Sequence, residues 1–259
     1  MKLAPGESKG GTDFAHAAVA MLARLGVGRA FGVIGGTIAP FAHALEGTIE
    51  LVHCRHEAGA AFAAAECSLA SGKPVAVFTT TGPGLVNALN GLVAAKWEGA
   101  RVVLVSSTTS PPVRGRGAFQ ETSFESVPPG WFDYSAFPHS VEELATIYAR
   151  LRAGFERPNG FVANVSLSRA LQLTAAEPHE APAGEGLLVA ASRPWLGELA
   201  RTLADSRFVI WLGYGARGAG AALGALAARS RAPVMSSPRG KGIFPETSRQ
   251  YLGVTGLGG

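Results

Sequence analysis

Four glycine-bearing loops, each following a strand-like apolar run, hold most of the residues in this chain that could do chemistry. They read Phe31-Gly-Val-Ile-Gly-Gly36, Arg55-His-Glu-Ala-Gly-Ala60, Thr80-Thr-Gly-Pro-Gly84 with Asn87, and Gly117-Ala-Phe-Gln-Glu-Thr122. Glycine after a strand lets a ligand approach the backbone. In open α/β sheets ligands bind in the loops beyond the carboxyl ends of the strands. Glu57 opens a helical run directly after a strand, where such a crevice should lie. A carboxyl there can share a proton with a bound group; taken alone, a Glu at a helix start is better explained by the helix dipole. His56 reads as structural, His53 and Cys54 as the end of a buried strand, and Cys67 as packing on a helix face. Arg114 and Arg116, between glycines, suit either an anion contact or a solvated loop. A further turn, Gly213-Tyr-Gly-Ala-Arg-Gly218, has G-x-G-x-x-G spacing. Val234–Ser237, about 20 residues on, lacks the acid that grips a ribose.

The elements that must position these loops follow from hydrophobic periodicity. Runs rich in Val, Ile and Phe predict strands over Arg29–Ile34, Ile49–His53, Val75–Thr79, Arg101–Ser106 and Phe161–Val165. Apolar residues at helical spacing predict helices over Thr12–Leu25, Ile38–Leu45, Glu57–Ala70, Leu85–Lys96 and Val141–Phe155, the first capped by Thr12 or Asp13. Such alternation predicts an α/β fold with a doubly wound, mostly parallel sheet over residues 1–173. Residues 174–192, rich in Ala, Pro, Glu and Gly without a period, read as a linker. The pattern restarts over 193–259 as helix Trp195–Leu203, strand Phe208–Leu212, helix Gly218–Ala228 and strand Pro233–Ser236. That is too few strands for a closed domain, so a partial Rossmann-like domain is expected.

Of the 259 residues, 47% are hydrophobic and 16% charged, and Lys+Arg exceeds Asp+Glu by 23 to 19. That composition supplies a large core. The small excess of positive charge is scattered, with no basic stripe for nucleic acid. No uncharged apolar run reaches the roughly 18 residues of a membrane span, and no apolar segment of a signal peptide appears. With two cysteines outside any metal-binding spacing, a cytoplasmic protein is expected. The aromatic cluster Phe124, Trp131, Phe132, Tyr134 and Phe137 reads as local core or a subunit contact.

In order and spacing, the four loops resemble the N-terminal pyrimidine-binding domain of thiamine diphosphate-dependent enzymes, in the acetolactate synthase-like group. The resemblance runs from Thr12 to Leu171. It continues into that family's middle domain through Phe208–Gly218 and Ser237-Pro-Arg-Gly-Lys-Gly-Ile-Phe-Pro-Glu246. It implies that Glu57 matches the glutamate that hydrogen-bonds N1′ of the cofactor's aminopyrimidine and so helps to activate the thiazolium C2. That chemistry favours a carboxyl in a mostly apolar cleft. Pro83, Gly84 and Asn87 match the loop supporting the pyrimidine, and Gly35 and Gly36 the turn that leaves room near the reacting carbon. Ile34, standing where the family's loop has proline, Phe119 and Gln120 match the substrate side, Gln120 as a hydrogen-bond donor to a substrate carboxylate or carbonyl. The implied substrate is a 2-oxo acid, decarboxylated and joined to an acceptor.

Three stretches depart from the family pattern: Ile34, Asn164-Val-Ser-Leu-Ser168 in place of an Asp-Ile-Pro type ending, and Ser123–Trp131. The family holds the diphosphate through a divalent ion on Gly-Asp-Gly followed by Asn. Here the only aspartates, Asp13, Asp133 and Asp205, lie in no such context. The resemblance therefore implies that Mg²⁺ and the diphosphate are held by another chain or a missing domain, and that this chain acts in an oligomer with a second polypeptide. A catalytically silent homologue serving as an interaction subunit is the alternative. FAD in the middle domain is the less favoured reading of the second glycine turn.

Overall fold

A computed structural model describes residues 12–122, 130–176 and 193–256. Phe124, nearly all of Ser123–Trp131 and residues 177–192 of the expected linker lie outside the described residues. The chain forms two compact units, residues 1–186 and 187–259.

In the first unit, α1 (Phe14–Arg24), β1 (Arg29–Gly32), α2 (Ala39–Ala44), β2 (Glu50–His53), α3 (Glu57–Ser71), β3 (Val75–Thr79), α4 (Pro83–Trp97) and β4 (Arg101–Thr108) alternate along the chain. They are followed by β5 (Tyr134–Ala136), α5 (Glu143–Phe155), β6 (Phe161–Ser168) and α6 (Arg169–Gln172). The strands form one sheet in the order β2-β1-β3-β4-β6-β5, every neighbouring pair parallel. Side chains alternate along each strand. Ala76, Phe78, Val103, Val105, Ala163 and Val165 join the core beneath α1, α2 and α5, with Phe14, Leu22, Phe41 and Leu151. Val75, Val77, Val102 and Leu104, also buried, turn to the opposite face, which α3 and α4 cover. Helices on both faces make the doubly wound architecture.

Local chemistry sets the ends of these elements. The Asp13 side chain caps α1 by accepting from the His16 amide at 2.9 Å. Gly72 closes α3 in the left-handed region, φ 70°. Arg101 gathers helix ends at the amino edge of the sheet, donating to the carbonyls of Phe155 (2.6 Å), Arg157 (3.0 Å) and Gly72 (3.4 Å). A cation suits the carbonyl-rich ends of helices. Thr174–Ala176, read as the start of a linker, is bound to the entry of α1. Thr174 O accepts from Phe14 N, and Ala176 N donates to Thr12 O.

Some expectations are corrected. Strand β1 ends at Gly32 rather than Ile34, while β4 and β6 run on to Thr108 and Ser168. Helix α4 starts at Pro83, since proline suits the first turn. β2 is an edge strand, so it is not buried: His53 is exposed and Cys54 half-buried.

The second unit holds α7 (Arg193–Ala204), β7 (Ile210–Leu212), α8 (Gly220–Ser230), β8 (Val234–Ser236) and β9 (Tyr251–Val254). Its strands lie in the order β7-β8-β9, both pairs parallel, over a small core of Ile210, Leu212, Ala227, Ala232, Val234 and Phe244. The glycine turn after β7 meets the loop after β8 closely. A Cβ on Gly240 would lie 2.4 Å from the Leu212 carbonyl oxygen.

Candidate active site

The strand order reverses at β1: β2 lies to one side of it, β3 and the later strands to the other. In an open parallel sheet a ligand crevice forms at the carboxyl ends of the strands at such a point. The loops after β1, β2 and β3 all emerge there and carry Ile34–Gly36, Glu57 and Pro83–Asn87.

Glu57 is the first residue of α3 and is 8% exposed. His56 caps the helix, its Nδ1 accepting from the Ala58 amide at 3.1 Å. Asn87, one turn into α4, donates from Nδ2 to Glu57 Oε2 at 3.0 Å. Small residues bring the two helices together. A Cβ on Gly91 would lie 2.6 Å from Ala61 Cβ and 2.7 Å from the Phe62 nitrogen. A Cβ on Gly84 would lie 2.9 Å from Thr80 Cγ2 and 3.3 Å from Glu57 Oε1. Gly84 is thus the small residue that lets the start of α4 close over Thr80 and reach the Glu57 carboxylate. Pro83 and Asn87 keep exposed outer faces.

Gly35 lies over β3, where an added Cβ would sit 2.7 Å from Thr80 Cβ and Oγ1. Gly36 is exposed, with open space where its Cβ would be, and Ile34 is 46% exposed beside it. Gln120 is half-buried and has a left-handed backbone, φ 58°. Its carbonyl oxygen lies 2.3 Å from where a Gly82 Cβ would be, so the 117–122 turn rests on the loop after β3. Phe119, in the same turn, is 86% exposed. Arg114 and Arg116 are exposed.

The structure therefore brings Glu57, Gly84, Asn87, Gly35 and the Gln120 backbone together on adjoining loops at the carboxyl end of the sheet, with Ile34 and Phe119 as exposed apolar side chains. The sequence reading gave no role to Thr37, Thr81 or Gln172, nor to Thr80 beyond its place in a motif. Thr37 Oγ1 lies 2.8 Å from Thr80 Oγ1 and 3.1 Å from Thr81 Oγ1. Gln172, fully buried at the end of α6, donates to the Thr37 carbonyl at 3.0 Å and accepts from the Phe41 amide at 3.2 Å. The threonine run after β3 was the visible signal for this cluster; a glutamine more than 130 residues away gave none.

The model of the thiamine pyrophosphate enzyme N-terminal TPP-binding domain matches residues 12–127, and that of the family's central domain matches 197–259. The chain belongs to the thiamine pyrophosphate enzyme family. Acetolactate synthase isozyme 2 large subunit of Escherichia coli is 38% identical over 125 residues, covering 48% of this chain and 23% of that protein. A 2-ketoarginine decarboxylase of Pseudomonas aeruginosa, named as probable, is 31% identical over 250 residues, covering 93% of this chain and 44% of that one. A solved structure from Mycobacterium smegmatis, described as thiamin diphosphate-dependent, shares the fold with a TM-score of 0.84 at 21% identity, over 95% of this chain and 49% of that one. The chain thus spans at most about half the length of these relatives. Thiamine diphosphate is the cofactor of this family. Gly35 and Gly84 let their backbones pack against Thr80, Gly36 has open space where a Cβ would be, and the buried Glu57 carboxyl lies beside Gly84, a proton-sharing group that fits the cofactor's pyrimidine. Among the described residues, no group of three or more His, Cys, Asp or Glu is placed to hold a metal, and no helix is long and apolar enough to cross a membrane.

Proposed function

We propose that this chain supplies the pyrimidine-binding and middle portions of an acetolactate synthase-like enzyme that decarboxylates a 2-oxo acid and joins the product to an acceptor. The observation carrying this reading is the buried Glu57, oriented by Asn87 across Gly84 at the sheet's reversal point, in a chain of the thiamine pyrophosphate enzyme family. Thiamine diphosphate supplies a carbanion-stabilising centre when bound. Glu57 is the catalytic residue: with Oε2 held by Asn87, Oε1 is left to share a proton with the pyrimidine N1′. The α3 amino terminus and the His56 cap fix where that carboxyl sits. Pro83 and Gly84 support the ring, Gly36 keeps space beside the reacting carbon, and Gly35 lets that turn pack against Thr80. Gln120, held by its turn against Gly82, binds the substrate carboxylate or carbonyl, with Ile34 and Phe119 shaping the acceptor side.

The diphosphate and its Mg²⁺ are held by residues beyond those described, on a second polypeptide or another part of a longer one, within an oligomer in the cytoplasm. Native mass spectrometry of the protein from its source, with thiamine diphosphate and Mg²⁺ added, together with a turnover screen of 2-oxo acids, tests this reading. Retained cofactor and turnover of a 2-oxo acid are expected. A lone chain that retains no cofactor would contradict the reading.

A further inference from the structure

The hydrogen bonds around Thr37 assign a role to a hydroxyl outside the motif residues. Thr37 Oγ1 has three neighbours: Thr81 N at 3.4 Å, Thr81 Oγ1 at 3.1 Å and Thr80 Oγ1 at 2.8 Å. A hydroxyl has two acceptor lone pairs and one hydrogen. Thr81 donates through both its amide and its hydroxyl, which fills the lone pairs. Thr37 must then donate its hydrogen to Thr80 Oγ1. This leaves the hydrogen of Thr80 with no acceptor among the described residues.

The position of Thr80 says where that hydrogen is available. Its methyl group faces Gly84, on the Glu57 side: Cγ2 is 2.9 Å from where a Gly84 Cβ would be. Its Oγ1 faces Gly35, at 2.7 Å from the corresponding point there. Thr80 is half-buried and directly follows β3, at the carboxyl end of the sheet. Thr37 is itself fixed from behind by Gln172, which is buried and binds the Thr37 carbonyl and the Phe41 amide. The loops after β1 and β3 are thereby latched together through one side chain.

Resting on the reading of the preceding section, we infer that Thr80 is a substrate-binding residue whose hydroxyl donates to a carboxylate oxygen of the 2-oxo acid, and that Thr37 is the positioning residue that aims it. The carboxylate is the matching partner because it accepts and cannot donate, and Oγ1 lies on the Gly35 side rather than beside Glu57. No bond is made or broken by Thr80; it orients and retains the substrate.

The test uses the full-length protein with thiamine diphosphate and Mg²⁺, and the fastest 2-oxo acid of the screen. Thr80→Val is expected to raise KM about tenfold, the worth of one hydrogen bond to a charged group. Its cofactor affinity should stay within about twofold of the parent's. Thr80→Ser, which keeps the hydroxyl, should recover most of the loss. Thr37→Val should raise KM similarly and speed amide exchange across residues 33–38, a readout that does not depend on turnover. An unchanged KM in Thr80→Val would overturn the inference, as would a loss of cofactor affinity equal to the rise in KM. A parent protein that binds no cofactor or turns over no 2-oxo acid is seen before any variant is compared, and it removes both this inference and the reading beneath it.

Discussion

Asn87 and Glu57 form the contact on which the proposed chemistry turns, and each can be removed separately. Glu57→Gln keeps the shape and a hydrogen-bonding side chain but loses the proton-sharing carboxyl. Turnover should fall about 10²–10⁴-fold, with the melting temperature close to the parent's; steady-state kinetics and circular dichroism check both. Asn87→Ala removes one charge-assisted bond and should cost about tenfold in kcat. Asn87→Asp should cost more, since it sets a second carboxylate where the amide now donates at 3.0 Å. If Asn87 only filled space, the two variants would behave alike. Cys54 offers a pH prediction. Burial pushes its thiol above the ordinary range, with a smaller opposing effect from its bond to Gly32. It therefore stays neutral to higher pH than an open thiol, and at pH 8.5 iodoacetamide should label it more slowly than free cysteine in a Cys67→Ser background. The unfolded thiol ionises first, so this group's contribution to stability is fully present below the unfolded thiol's pKa and is lost as pH rises above it through the raised folded value.

At the scale of elements, the α3–α4 crossing carries the site, and Gly91 decides how close the helices come. With 2.6 Å between its added Cβ and Ala61 Cβ, Gly91→Val overpacks the crossing. It should cost about 1–3 kcal/mol, read as a lower melting temperature. Lower turnover should accompany it, because Glu57 and Asn87 sit on the two separated helices. The sequence made the long alternating elements legible: β3 and β4 are continuous buried runs, and α3 and α4 are Ala- and Gly-rich. It did not reveal β5 or β9. β5 is three residues, Tyr134–Ala136, on the sheet edge. β9 contains Gly253 at φ 114° beside an irregularity in its pairing with β8. Neither presents a period long enough to read. The candidate site was legible where its residues are local, as in Glu57 and the Pro83–Asn87 turn. The Thr37–Gln172 link was not, because it depends on the return of β6 to the neighbourhood of α2.

On the scale of the whole molecule, two compact units share the chain, each with its own core. Gly240→Ala, whose Cβ would press to 2.4 Å on the Leu212 carbonyl, should lower the unfolding transition of the second unit. Amide exchange protection of β3, β4 and β6 should stay unchanged; loss of protection in both units would show that they unfold together. The proposed function needs the diphosphate to be held outside the described residues, so the decisive experiment uses the full-length protein with thiamine diphosphate and Mg²⁺. The rate of C2 proton exchange of bound thiamine diphosphate, followed by NMR in the full-length protein with Mg²⁺, reads the action of Glu57 without any substrate. The parent protein should accelerate that exchange by at least about a hundredfold over the free cofactor, and Glu57→Gln should abolish most of the acceleration. Equal exchange rates in the two proteins, with cofactor bound in both, would contradict the account.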